Sequence, residues 1–363
     1  MRSEIEEIIK RAESAAKIKV CERDLERILS ACLTTQNFWR IVDLSDVSFV
    51  AVAHVLKQLK ARDYINVTEN KIALTSAGNR LAETLGCSRI RELSCERCAG
   101  KGIDIEKLNE ISRGIAEKFR ELQKNRPEPK MEYDQGHLTC ESTLARVALA
   151  IARGDVESKK IIVLGDDDLV SVALALTALP KEVVVLDIDG RLIEFISSIA
   201  KRENLRITAL KLDLTQPLTE NMLHSFDTFI TDPPDTLYAL KLFLLRGMSA
   251  LKGEGCGGYF GVTRRESSLR KWAELQKILL RYNAVITDII HNFSEYSNWG
   301  YMDKTEMFEL APVKELPKDI WYRSCLFRIE LLDKVEWNAP AEREGVYTDE
   351  EYIGSTSAVK GGG

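Results

Sequence analysis

Carboxylates stand at the ends of four successive apolar runs in the second half of the chain. Ile161-Ile162-Val163-Leu164 leads into Gly165-Asp166-Asp167-Asp168, and Glu182–Leu186 leads into Asp187-Ile188-Asp189. Asp213 follows the run Ile207–Leu210, and Thr228-Phe229-Ile230 leads into Asp232-Pro233-Pro234-Asp235. Single acids at such places have ordinary uses. Asp168 and Asp235 could each cap the helix that follows, and Asp187 could close a turn. Carboxylates gathered at one edge repel one another unless a cation or hydrogen-bond donors share the site. Together they can accept hydrogen bonds from sugar hydroxyls, hold ammonium groups and take up a proton.

The elements that must carry these acids follow from the pattern. Apolar runs alternating with helical stretches imply a mostly parallel sheet buried on both faces. Gly258–Val262, Ala284–Asn292 and Ser324–Leu331 continue the series, with a long insertion between the last two. Ligands of such sheets bind beyond the carboxyl ends of the strands. The spacing is similar to that of a Rossmann-like, methyltransferase-type sheet. In that frame Asp187 meets the ribose hydroxyls, with Asp189 beside it, Asp213 meets the adenine amino group, and Asp232-Pro233-Pro234 takes the catalytic place.

The first turn departs from that pattern. Methyltransferases keep a glycine-rich loop there, where the methionine carboxylate of the donor approaches. Here one glycine, Gly165, precedes three acids, and three anions repel a carboxylate. They attract a donor without one, such as decarboxylated S-adenosylmethionine, and a polyamine acceptor. The charge argument therefore predicts aminopropyl rather than methyl transfer. A polyamine nitrogen must shed its proton before it can attack, so one acid must act as base. Asp167 is the expected base, helped by Asp166, Asp168 and Asp232. Tyr133, Asp134, Gln135, Asp235, Glu295, Tyr296, Trp299 and Tyr301 are the candidates for the acceptor pocket, since acids and aromatic faces both bind ammonium groups. His291 reads as a strand residue rather than a base.

Gly165-Asp166-Asp167-Asp168, Leu186-Asp187-Ile188-Asp189 and Thr231-Asp232-Pro233-Pro234-Asp235-Thr236 resemble the branched-chain polyamine synthase family of thermophilic prokaryotes. The resemblance extends to Tyr133-Asp134-Gln135, Thr263–Ser268, Asn298-Trp299-Gly300-Tyr301 and the pair Cys95/Cys98. It implies two successive aminopropyl transfers to the central nitrogen of spermidine, with release of methylthioadenosine. It also implies a homodimer, no cofactor beyond the decarboxylated co-substrate, and Asp167 as the essential acid.

Residues 1–86 read as helices with one hairpin, Tyr64–Thr68 and Ile72–Thr75, a pattern similar to a winged-helix domain. Ser45 or Asp46 is expected to cap the helix that carries Val47, Val50, Ala51, Val55 and Leu59. Residues 87–128 form a connector, 129–335 the catalytic domain, and 336–363 a flexible polar tail. Over 363 residues, 45% hydrophobic and 29% charged, two domains are expected. The net charge of -5 excludes a wholly basic nucleic-acid coat. The sequence contains no long apolar run and no signal-peptide pattern, so the chain is read as cytoplasmic, with no membrane partner. Of the eight cysteines, most are expected to be free core thiols. Cys95 and Cys98, with Cys87, could form part of a zinc knuckle, but a tetrahedral site lacks its fourth ligand, so no metal is assigned. Two other functions compete. An amino-group methyltransferase on nucleic acid fits Asp232-Pro233-Pro234, but phosphates would meet an acidic site. A polyamine-sensing regulator fits the N-terminal pattern, with Lys57, Lys60 and Arg62 as its only basic cluster.

Overall fold

The computed structural model describes residues 2–91, 93–349 and 351. Five helices and a hairpin come first: α1 (Arg2–Ala16), α2 (Glu22–Thr34), α3 (Phe38–Ser45), α4 (Phe49–Lys60), β1 (Ile65–Thr68), β2 (Lys71–Leu74) and α5 (Ser76–Thr84). The hairpin pairs Ile65 with Leu74, as its alternation requires. The capping expectation is corrected. Ser45 is the last residue of α3, Asp46 follows it in the left-handed conformation, and Ser48 opens α4.

The connector holds α6 (Leu108–Ile111) and α7 (Ile115–Gln123). Then come α8 (Cys140–Ala152), β3 (Lys160–Leu164), α9 (Val170–Leu176), β4 (Glu182–Asp187), α10 (Gly190–Glu203) and β5 (Ile207–Lys211). They are followed by β6 (Thr228–Thr231), α11 (Leu237–Ala250), β7 (Gly257–Val262), α12 (Leu269–Arg281), β8 (Ala284–Glu295), α13 (Glu306–Leu310) and β9 (Arg323–Leu331). The seven-stranded sheet has the order β5-β4-β3-β6-β7-β9-β8. Strands β3 to β7 are parallel, and β9 runs against both of its neighbours. The mixed α/β, mostly parallel sheet is thus the one expected. The chain runs outward from β3 through β4 to β5 and then crosses back to β6, on the other side of β3. That switch point opens a crevice at the carboxyl ends.

The central strands are apolar because both faces are covered. Ile161–Leu164 and Val183–Leu186 are buried, packed against α8, α9 and α10 on one side and α11 on the other. The N-terminal helices share one core with the insertion between β8 and β9. Trp39 lies 4.7 Å, ring to ring, from Trp321, which lies 6.3 Å from Trp299. Behind it, Arg265 donates to the Asp43 carbonyl at 3.0 Å and the Phe49 amide donates to the Arg265 carbonyl at 2.6 Å. Such buried charge is tolerated because it is paired.

The tail expectation is also corrected for residues 336–349 and 351; residues 350 and 352–363 lie outside the described ones. Arg246 donates to the Ala339 carbonyl, Thr236 to the Val346 carbonyl, and Lys271 pairs with Asp349 at 2.8 Å. Composition suggested a free tail, but Trp337 and Val346 pack on α11 and hold it down. Among the described residues, no helix is long and apolar enough to cross a membrane.

Candidate active site

Two adjoining hollows open at the carboxyl ends of β3, β4 and β6. One is lined by Gly165, Asp187, Asp213, Phe243 and Tyr347, the other by Asp235, Glu266, Tyr296, Trp299 and Tyr322. Asp134, Asp167, Asp232 and Pro234 form the wall they share. Seven carboxylates line the pair: Asp134, Asp167, Asp187, Asp213, Asp232, Asp235 and Glu266. No Lys or Arg is among the lining residues described.

Gly165 turns the chain out of β3 with φ +71°, a conformation that favours glycine. The three acids that follow separate by depth. Asp166 is buried and accepts from the Ser171 amide of α9 at 3.3 Å. Asp168 is also buried, takes the Leu138 amide at 2.6 Å and faces Arg146 at 3.8 Å. So Asp166, not Asp168, serves the start of α9. Only Asp167 of the three reaches the hollows. Burial first, then the charges of Asp168 and Asp187, hold the Asp167 carboxyl well above the usual range. Arg126, which donates to the Asp167 carbonyl at 2.9 Å, opposes that shift. Burial and Asp232 push Asp168 up to about 6.

Asp187 ends β4 and accepts the Asp166 amide on one oxygen at 2.9 Å and the Asp189 amide on the other at 2.7 Å. Asp189 is turned away from the cleft. It caps α10 through the Arg191 amide at 3.0 Å, pairs with the Arg191 guanidinium at 2.6 Å and accepts from Gln135 at 3.2 Å. Burial opposes these partners, but they leave its carboxyl below the usual range. Asp213 accepts from the Thr215 amide at 2.9 Å at the mouth of the first hollow. Tyr133 and Gln135, expected on the acceptor side, line this first hollow instead. The 3₁₀ turn Met131–Tyr133 delivers them there.

Asp232 follows β6. One oxygen accepts from Tyr296 at 2.5 Å and from Arg146 at 2.9 Å. The other lies where a Cβ on Gly261 would be 2.0 Å away. Asp235 does not cap α11; Thr236 does, accepting from the Ala239 amide. Asp235 instead accepts from the Thr263 amide at 3.1 Å and Ser267 at 3.0 Å. Burial, then Glu266, raise both Asp235 and Asp134 well above the usual range, although for Asp134 Asp235 and Asp167 add to it. Tyr301 stands behind the cleft and donates to the Gln135 carbonyl at 2.5 Å. Glu295 is not in the cleft: it pairs with Arg323 at 3.1 Å and Lys101 at 3.2 Å.

Sequence reasoning passed over Glu266, Tyr322, Tyr347, Phe243 and Arg146. Glu266 sat within the run Thr263–Ser268, whose Arg264 and Arg265 are spent on docking α3 and α4. Arg146 lies inside an apolar helical run, where a lone charge was the available signal. Cys87 points to the Glu26 carbonyl of α2 at 3.5 Å, and the described residues hold no group of three His, Cys, Asp or Glu side chains placed to hold a metal ion.

The geometry defines a cleft of two adjoining acidic hollows at a sheet switch point, a form that suits cationic ligands. Comparison with known proteins narrows the class. Residues 114–354 match the family model "Branched-chain polyamine synthase A C-terminal domain", so the chain belongs to the branched-chain polyamine synthases. It is 48% identical over 330 residues to the N(4)-bis(aminopropyl)spermidine synthase of Methanocaldococcus jannaschii, covering 90% of this chain and 93% of that one. The enzyme of the same name from Thermococcus kodakarensis is 46% identical over 331 residues, with the same coverage. The crystal structure of the branched-chain polyamine synthase from Thermus thermophilus with N4-aminopropylspermidine and 5'-methylthioadenosine superposes with a TM-score of 0.90 at 40% identity. It covers 97% of this chain and 98% of that one.

Proposed function

We propose that this chain transfers aminopropyl groups from decarboxylated S-adenosylmethionine to the central nitrogen of spermidine. The first transfer gives N4-aminopropylspermidine and the second N(4)-bis(aminopropyl)spermidine, with methylthioadenosine leaving each time. The observation that carries this reading is the cleft wall of seven carboxylates without a basic residue. It suits two cationic substrates and repels a donor carboxylate.

The nucleoside occupies the first hollow, with its ribose on Asp187 and its base near Asp213. The polyamine lies in the second, its outer ammoniums on Asp235, Glu266 and Asp134 and against the Trp299 ring. The reacting atoms meet at Asp167 and Asp232. Positioning two reactants in this way can itself contribute about 7–11 kcal/mol. The nitrogen lone pair forms the new C–N bond as the C–S bond breaks, and that electron pair stays on sulfur. In the first transfer Asp167, whose raised affinity for a proton suits a base, accepts the proton from nitrogen.

The N-terminal unit is read as a winged-helix-like docking module, and the active species as a cytoplasmic homodimer. The nucleic-acid alternatives lose ground. The apolar residues of α4 from Phe49 to Leu59 are buried, and Arg62 is tied to Gln58 and Glu7. Incubation with spermidine and decarboxylated S-adenosylmethionine, followed by chromatography, tests the proposal. Methylthioadenosine and branched polyamine are expected in step; neither appearing would end it.

A further inference from the structure

Arg146 lies beneath the cleft, on α8, only 2% exposed. It touches neither hollow. Its Nη2 donates to Asp232 at 2.9 Å and to Ser294 at 2.9 Å, its Nε to Ser294 at 3.1 Å, and its Nη1 faces Asp168 at 3.8 Å. Tyr296 donates to the same Asp232 oxygen and sits 3.0 Å from Ser324. The fork is therefore fixed from below by a serine and spends its charge upward. A buried guanidinium is costly to desolvate unless its partners are in place. Packing alone would be met by an apolar residue on this helix.

We propose that Arg146 is a positioning residue that fixes the Asp232 carboxylate for the second aminopropyl transfer. This rests on the function proposed above. The two transfers differ in where their charge goes. In both, the amine lone pair makes the C–N bond, the C–S bond breaks, and the sulfonium becomes a neutral thioether. After the first transfer the positive charge on nitrogen leaves with a proton. After the second it cannot leave, because the product nitrogen carries four carbons. A fixed anion beside the nitrogen therefore serves the second step most. Without Arg146, Asp232 would share the site with Asp167 and Asp168 and lose the guanidinium that now bonds it. Like charges so placed push a carboxylate out of a fixed position.

The test measures turnover of spermidine and of N4-aminopropylspermidine separately, at saturating donor, in the wild type, Arg146→Gln and Arg146→Lys. For Arg146→Gln we expect kcat with N4-aminopropylspermidine to fall about tenfold further than kcat with spermidine. Arg146→Lys keeps the charge and should hold the ratio near that of the wild type. Ser294→Ala loosens the guanidinium without removing its charge and should skew the ratio the same way by a smaller factor. It carries the test if Arg146→Gln does not melt cooperatively. Equal losses for the two acceptors, unrepaired by lysine, would overturn the inference alone. A wild type that turns over neither acceptor would overturn the proposed function with it.

Discussion

The Asp166 amide donates to one oxygen of the Asp187 carboxylate at 2.9 Å, which ties the acidic turn after β3 to the acid at the end of β4. The Asp189 amide takes the other oxygen at 2.7 Å. Each carboxylate oxygen keeps a lone pair for one more donor, so both ribose hydroxyls can still be met. Asp187 thus orients the first turn and, on the proposed function, the donor as well.

Asp187→Asn follows from this arrangement. An amide has one oxygen, so one of the two backbone donors must face an NH2 group. Affinity for methylthioadenosine should fall about tenfold or more, since hydrogen bonds to a charged group are worth roughly 1.5–3 kcal/mol. Calorimetry checks it; unchanged affinity would move ribose recognition elsewhere.

Asp167→Asn should abolish transfer and stabilise the fold. Burial raises the folded pKa of Asp167 above its unfolded value. A group raised in this sense stabilises fully below the unfolded pKa, near ~3.9, and loses that contribution as pH rises through the folded value. Above the unfolded pKa the buried carboxyl therefore costs stability that asparagine does not. The variant should melt at or above the wild-type temperature near neutrality, and the difference should shrink towards pH 4. A lower melting temperature at pH 7 would show that Asp167 holds the turn together.

Gly261→Ala probes the same wall from behind. Its Cβ would stand 2.0 Å from an Asp232 oxygen, so the carboxylate must shift. A shift of this size at a reacting group costs on the order of a hundredfold in kcat. Near-normal kcat in steady-state assays would show that Asp232 has slack.

Glu266→Gln should act on one substrate only. Glu266 lines the second hollow and not the first. Its KM for spermidine should rise about tenfold, as expected for loss of a charged contact, with methylthioadenosine affinity unchanged. Equal changes in both would mean that the two hollows do not divide the substrates as proposed.

Much of this site was legible because the strands are. Buried parallel strands are nearly pure Val, Ile and Leu, so the polar residue that ends each one stands out. Asp167, Asp187, Asp213 and Asp232 were found in that way. Which acids of the first turn face the cleft was not legible, since depth there is set by the nearby Ser171 amide together with the Leu138 amide, 30 residues away along the chain. Glu295 had a suitable residue type and was taken by Arg323, which only the fold brings near, whereas Asp189 was taken by Arg191, two residues on, where it caps α10. The segment around Val346 and Tyr347 escaped because its polar composition hides two anchoring groups.

The central claim is that the acidic wall selects a donor without a carboxylate. It is tested most directly by competition of decarboxylated S-adenosylmethionine and S-adenosylmethionine for the wild type and for Asp167→Asn. At ~4 Å and an effective dielectric near 20, like-charge repulsion is on the order of 4 kcal/mol, and solvent reduces it. A third of that gives about tenfold preference for the decarboxylated donor, which should narrow in Asp167→Asn. Equal affinity of the wild type for the two donors would contradict the account.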